Sequence, residues 1–227
     1  MNPNATSRVN RQAGTSPANQ KAPSVFKQLL SITTLLLALV GAGPAAAQAG
    51  PDALVRQIAV DVIDTAKADK AIQAGDVSRI IALVDAKVMP HVNFEIMTRA
   101  AVGPQWRSAT PEQRSRLQAE FKILLMRVYA GALTQIKDQT VEITKTVPVS
   151  GSTQVVVQSE VRGKGEPIKL DYRLDKQAEA WKIIDVNVGG IWLVQSYRTQ
   201  FAPEITKGGL DGLIGTLADR NKAAGKG

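Results

Sequence analysis

The sequence predicts an α+β fold: one curved antiparallel sheet of about four strands, covered by helices on its apolar face and leaving room for an apolar interior pocket. Three observations predict it. Apolar residues recur every three to four positions up to about Lys137, every second position from Val141 to Val188, and at helical spacing again after Gly189-Gly190. The alternating segments are joined by short polar links, which favour consecutive hairpins over crossovers. Helices, then strands, then helices is the order expected when a single sheet is layered by helices.

Each element has its own signal. Leu54, Val55, Ile58, Ala59, Val62 and Ile63 form an amphipathic stripe over 51–67. Val77, Ile80, Ile81, Val84 and Val88 repeat it over 77–88, with Asp76 placed to cap the helix and Pro90 to end it. Thr110-Pro111-Glu112-Gln113 is a capping residue, a proline at the first helical position and a glutamine three residues after the cap. The stripe behind it runs through Leu117, Phe121, Leu124, Leu125, Val128, Ala132 and Ile136. At 1.5 Å per residue such a helix spans roughly 40 Å, the spine of the fold. Strands are expected at Val141–Thr144, Gln154–Arg162, Ile168–Leu174 and Trp181–Val188. Ile191, Val194, Tyr197 and Phe201 predict a helix, and Leu210, Leu213, Ile214 and Leu217 a weaker one, with a flexible tail over 219–227.

Composition narrows the function. The chain has 227 residues, no Cys and one His, which excludes disulfides, thiolate metal sites, thiol catalysis and any site needing two imidazoles. The formal charge is +8, but residues 1–47 hold Arg8, Arg11, Lys21 and Lys27 and no acid. Half of the basic excess therefore lies in that segment. Ten aromatic residues are too few for a base-stacking platform, so no nucleic-acid partner is expected.

The same segment reads as an address. The apolar run LLSITTLLLALV from Leu29 to Val40 follows Lys21 and Lys27 and precedes Gly41-Ala-Gly-Pro-Ala-Ala-Ala47. That is the pattern of a secretory signal peptide, 1–47, cleaved after Ala47 or Ala49. As a helix the run rises about 18 Å, short of the ~30 Å hydrocarbon layer. A single domain over 50–218 follows, expected to be soluble in the periplasm of a Gram-negative cell. That compartment lacks ATP, and the chain has no phosphate-cradling G-x-x-x-x-G-K-[ST] loop. Any energised step belongs to a partner.

Catalytic chemistry is sparse. There is no G-x-S-x-G elbow, no H-E-x-x-H and no carboxylate cluster suited to a metal. His91 after Pro90 reads as a packing or capping imidazole, and Asp185 as a strand acid that faces solvent or pairs with Lys182 or Arg198. Arg107, Arg114, Arg116 and Lys122 stud the start of the long helix, a solvated face or a docking surface for an anionic partner. The apolar inventory is richer. Val155, Val157, Val161, Leu170, Tyr172, Ile184, Val186 and Val188 on the strands face Phe121, Leu124, Leu125, Val128 and Leu133 on the long helix. A tightly filled core is one outcome of that inventory, and a small-molecule cavity the other.

Two stretches resemble the MlaC family, the toluene-tolerance auxiliary proteins that carry phospholipid through the periplasm. The first is Pro90-His91-Val92-Asn93-Phe94, Met97, Gly103, Trp106-Arg107, Ala109-Thr110-Pro111-Glu112-Gln113, Phe121, Leu124-Leu125 and Tyr129. The second is Trp181-Lys182, Asp185-Val186, Gly190, Leu193-Val194, Tyr197-Arg198, Gln200 and Phe201. Asn93 departs from the family's usual Asp, Gly189 from Glu, and Trp192 and Ser196 from a small residue and Asn. The resemblance implies a nuclear-transport-factor-like fold and no enzyme activity. It implies that acyl chains lie against the strand and helix residues just named, Val161 apart, together with Tyr129, Leu193 and Tyr197, with no cofactor beyond the phospholipid cargo. It implies as partners an inner-membrane ABC transporter complex with its substrate-binding component, and an outer-membrane lipoprotein associated with porins. The role implied is upkeep of outer-membrane lipid asymmetry. A lipid-free interaction module would instead have a filled core and an exposed apolar patch. An enzyme on a small hydrophobic substrate would turn His91 or Asp185 into the cavity.

Overall fold

The computed structural model describes residues 49–178 and 180–223. The expected signal peptide lies outside them. Helix α1 covers Pro51–Ala68, α2 Lys70–Gln73 and α3 Val77–Lys87, and a 3-10 turn at Met89–His91 follows. Asp76 caps α3 as expected, its carboxylate accepting from the amides of Ser78 and Arg79.

Helix α4, Phe94–Val102, and a 3-10 segment over Gly103–Ser108 are additions to the sequence reading. Asn93 caps α4, accepting at Oδ1 from the Ile96 amide at 3.0 Å, while its Nδ2 donates to Gln177 Oε1 at 3.0 Å. The residue that departs from the family's Asp thus keeps the cap and ties α4 to the end of a strand.

Helix α5 runs Pro111–Thr134, 24 residues or about 36 Å, ending three residues earlier than the stripe suggests. Its capping box is complete. The Gln113 amide donates to Thr110 Oγ1 and the Thr110 amide to Gln113 Oε1.

The sheet has five strands in the order β1 (Thr140–Pro148), β2 (Gln154–Arg162), β3 (Ile168–Gln177), β4 (Ala180–Val188) and β5 (Ile191–Trp192), all antiparallel. The pairing sets one inner face. Val157 lies opposite Tyr172, Ser159 opposite Leu170 and Val161 opposite Ile168 on β2 and β3. Tyr172 lies opposite Val186 and Leu170 opposite Val188 on β3 and β4. A bulge leaves Ile184 unpaired between Ile183, opposite Leu174, and Asp185, opposite Arg173.

The last segment, α6, Leu193–Ala223, holds both expected helices, which meet at a kink at Gly209, non-helical at φ +64°. The flexible tail expected from 219 is corrected as far as Ala223. Asn221 is buried, and its Nδ2 donates to Glu120 O and Oε2 on α5 at 2.9 and 2.7 Å.

Candidate functional site

Buried apolar side chains form three groups. The largest joins α4, α5 and α6 through Ala101, Val102, Trp106, Leu117, Phe121, Leu193, Tyr197, Phe201, Ile205, Leu213, Ile214 and Leu217. A second joins α1 to the sheet through Val55, Ile58, Val157, Leu174 and Ile183. A third, Ala66, Ile72, Ile80 and Leu83, lies among the first three helices. A domain ordinarily has one contiguous core with small satellites. Here apolar residues that stay half-buried mark the seams. Val186 touches the first and second groups, and Val62 the second and third.

The seam between α5 and the sheet is the candidate site. Helix α5 packs mainly on other helices, whereas the sheet is covered by α1, α4 and α6. Of the fifteen residues proposed from sequence, Phe121, Val157, Ile184, Leu193 and Tyr197 are buried. Leu124, Leu125, Tyr129, Leu133, Val155, Leu170, Tyr172, Val186 and Val188 are half-buried. Val128 is 56% exposed. Leu124, Leu125, Tyr129, Val186 and Val188 are brought together against the largest group, and Val155, Tyr172 and Val186 against the second. Leu133 packs on the third group instead. Ile184 belongs to none of the three, because the bulge gives Ile183 the place beside Leu174 that regular alternation assigns elsewhere.

The lining reaches the surface. Ile168, 55% exposed, and Ile191, 60% exposed, pair with Val161 and Val188 and so share their face of the sheet. Val128 extends the α5 stripe one turn past Leu124 and Leu125. These rim residues were visible as apolar letters, but only the strand pairing puts Ile191 beside the pocket residues.

Three phenols report on the interior. Burial pushes the Tyr172 hydroxyl up to about 12, although its ring keeps accessible surface. Burial also raises Tyr129 and Tyr197, and charge on Tyr129 raises Tyr197 further, so those two phenols share a neighbourhood. All three phenols stay neutral near pH 7.

Neither candidate catalytic residue serves the seam. Asp185 accepts at Oδ1 from the amides of Val186 at 2.9 Å and Val194 at 3.1 Å, holding the start of α6. This replaces the expected solvent exposure or pairing with Lys182 or Arg198. Burial raises its pKa above the usual carboxylate value. His91 is half-buried in the 3-10 turn, its pKa lowered by burial and by Lys182, whose Nζ donates to Pro90 O. Among the described residues no cluster of His, Cys, Asp and Glu is placed to hold a metal.

The expected basic face is partly spent on the fold. Arg114 donates to Trp106 O and stacks on the Trp106 ring, and Lys122 pairs with Asp85 Oδ1 at 2.9 Å. Arg107 and Arg116 make no side-chain ion pair among the described residues. Two surface depressions are present among the described residues, the first beginning at the rim residue Ile191 and the second remote from it. One, about 550 Å³, follows Ile191, Trp192, Gln195, Ser196 and Thr199. The other, about 210 Å³, lies between Pro104 and α6.

The MlaC protein family matches residues 56–219, from the middle of α1 into the last turns of α6. The chain belongs to the MlaC family. It is 27% identical over 199 residues to the Toluene tolerance protein ttg2D of Pseudomonas putida, covering 83% of this chain and 92% of that one. It is 24% identical over 187 residues to the Intermembrane phospholipid transport system binding protein MlaC of Haemophilus influenzae, covering 81% and 87%. A solved phospholipid-binding protein from Ralstonia solanacearum, in complex with a phospholipid, superposes with a TM-score of 0.75 at 40% identity, covering 78% of this chain and 99% of that one. The α+β fold and the family expected from the motifs are thereby shown. Membership makes this a binding protein and not an enzyme.

Proposed function

We propose that this protein is a soluble periplasmic phospholipid carrier that holds acyl chains in the seam between α5 and the inner face of the sheet. The divided core carries the reading. Three packed groups can part along half-buried aliphatic surfaces without breaking a continuous interior, and the solved relative that holds a phospholipid shares 40% of its residues with this chain. The Val128, Ile168 and Ile191 rim is the entrance, with the headgroup outside.

Exposing acyl chains costs ~0.8 kcal/mol per methylene, so two tails of some 30 methylenes represent roughly 25 kcal/mol. Spontaneous release into water is therefore too slow to be useful. Loading and unloading are handovers between apolar sites. The donors and acceptors are an inner-membrane ABC transporter complex with its substrate-binding component and an outer-membrane lipoprotein associated with porins. The traffic helps maintain outer-membrane lipid asymmetry. No cofactor is needed. No helix among the described residues is long and apolar enough to cross a membrane, and export falls to the signal peptide.

Native mass spectrometry of the exported protein, with lipid extraction, tests this. A stoichiometric mass shift matching phospholipid is expected. A lipid-free mass that persists after incubation with vesicles would overturn the carrier in favour of an interaction module.

A further inference from the structure

Gly103 and Arg198 both belong to the family-like stretches, and neither serves the seam. They meet at the smaller depression, about 210 Å³, between the 3-10 segment and the first half of α6. It is lined by Val102, Pro104, Ala202 and Ile205 together with the polar Arg198, Gln105 and Thr206. The Arg198 guanidinium lies along Gly103, where a Cβ would stand 3.6 Å from Nε. Gly103 holds φ +81°, a backbone that a residue with a side chain adopts only with strain, so the guanidinium rests on a surface that glycine keeps bare.

Among the described residues Arg198 makes no ion pair, and neither do Arg99, Arg107 or Lys207 on the same elements. Of the acids on α4 and the first half of α6, Glu204 is engaged by Thr216 and by Arg220, which leaves Glu95 against four cations. The local charge calls for an anion.

We propose that this recess docks an acidic segment of a partner protein, one carboxylate meeting the Arg198 fork while a neighbouring side chain lies along Val102 and Ile205. Size and shape favour this over a membrane. The volume corresponds to about seven waters, room for one side chain. An anionic bilayer meets clustered bases on an open face, whereas of the four cations only Arg198 lines this recess. Arginine is also the residue whose planar fork matches a carboxylate. The proposal stands on the recess alone, whatever the seam carries.

The test is an NMR titration of the exported protein with acetyl-Leu-Glu-Leu-amide, against acetyl-Leu-Gln-Leu-amide and phosphatidylglycerol vesicles. The Glu peptide should move the amides of Gly103, Gln105 and Thr206. Its affinity should fall about tenfold in Arg198→Ala and about threefold in Arg198→Lys, with the Gln peptide binding wild type as weakly as the Glu peptide binds Arg198→Ala. Absent shifts, equal binding of both peptides, or binding indifferent to Arg198 would overturn it. So would vesicles moving these amides where the peptide does not, which would give the face to a membrane. Lipid extracted from the same samples should match between wild type and Arg198→Ala. Lipid missing from both overturns the carrier and leaves the docking site standing. Lipid missing only from the variant overturns the recess as an independent site.

Discussion

Along a single helix, α5, two kinds of apolar packing follow one another. At Phe121 the ring is fully buried, edge-on to Tyr197 and Phe201 with centroids 4.9 and 5.2 Å apart, and close to Phe94. One turn later Leu124 and Leu125, then Tyr129, keep accessible surface, and Val128 is open to solvent. The aromatic rings meet edge to face or tilted, a packing with a directional preference. The aliphatic stretch has no such directional requirement, which under the proposed function suits flexible chains of varied length. The difference teaches that apolar letters at helical spacing do not by themselves separate core from site; completeness of packing does.

The largest expected effect tests the cluster. Phe121→Ala should cost about 3–5 kcal/mol in urea denaturation, while Leu125→Ala should cost about 1 kcal/mol. Equal losses would make the seam ordinary core and break the comparison.

Filling the seam is the next test. Leu170→Trp should leave the protein folded and lower co-purified lipid severalfold, because Leu170 is only half-buried on the inner face of the sheet. Val157→Trp should instead destabilise by about 1–3 kcal/mol, since Val157 is fully buried in the α1–sheet group. Undiminished lipid in a folded Leu170→Trp protein would place that residue outside the pocket.

Much of the architecture was legible because the period of the apolar pattern changes where the structure changes. The long helix announced itself with a capping box, and β2 and β3 by alternation. What was not legible was non-local. The bulge that sets Ile184 aside for Ile183 needs the β3 partner to be known. Helix α4 is nine residues long, too short to show its period, and is fixed by Asn93 reaching Gln177 across 84 residues of chain. Lys122 was a candidate docking residue until Asp85, 37 residues away, came into reach. Of the fifteen proposed pocket residues, which stay half-buried is set by contacts between elements distant in sequence, as where Leu133 packs on the third group and Val186 between the first and second.

Asp185 sharpens the comparison from the other side of the sheet, where a charge is buried for structure. Burial raises its folded-state pKa above 3.8, opposed by the amides of Val194 and Val186 and by Arg173. A carboxyl that holds its proton more tightly folded than unfolded favours the folded state at low pH. That advantage is lost as pH rises from the unfolded value through the folded one. Asp185→Asn keeps an oxygen for both amides and removes the charge. The variant should therefore gain on wild type as pH is raised above about 4 and level off beyond the folded pKa. Urea titrations between pH 3 and 7 read this directly. A variant that loses ground at neutral pH would mean that the start of α6 needs the anion.

The smallest effect concerns the family's usual residue. Asn93→Asp retains the α4 cap and places a negative charge at a helix N-terminus, a gain of about 0.3–1 kcal/mol. It forfeits the bond from Asn93 Nδ2 to Gln177 Oε1, yet Gln177 Nε2 is buried without a partner and supplies a donor if the amide turns over. The two acceptors then need not oppose each other, and the net change should be a gain of about 0.5 kcal/mol. A loss larger than about 1 kcal/mol would show that Gln177 is fixed in its present orientation. The Asn93 amide, rather than the cap, would then be what anchors α4 to β3 beside the seam.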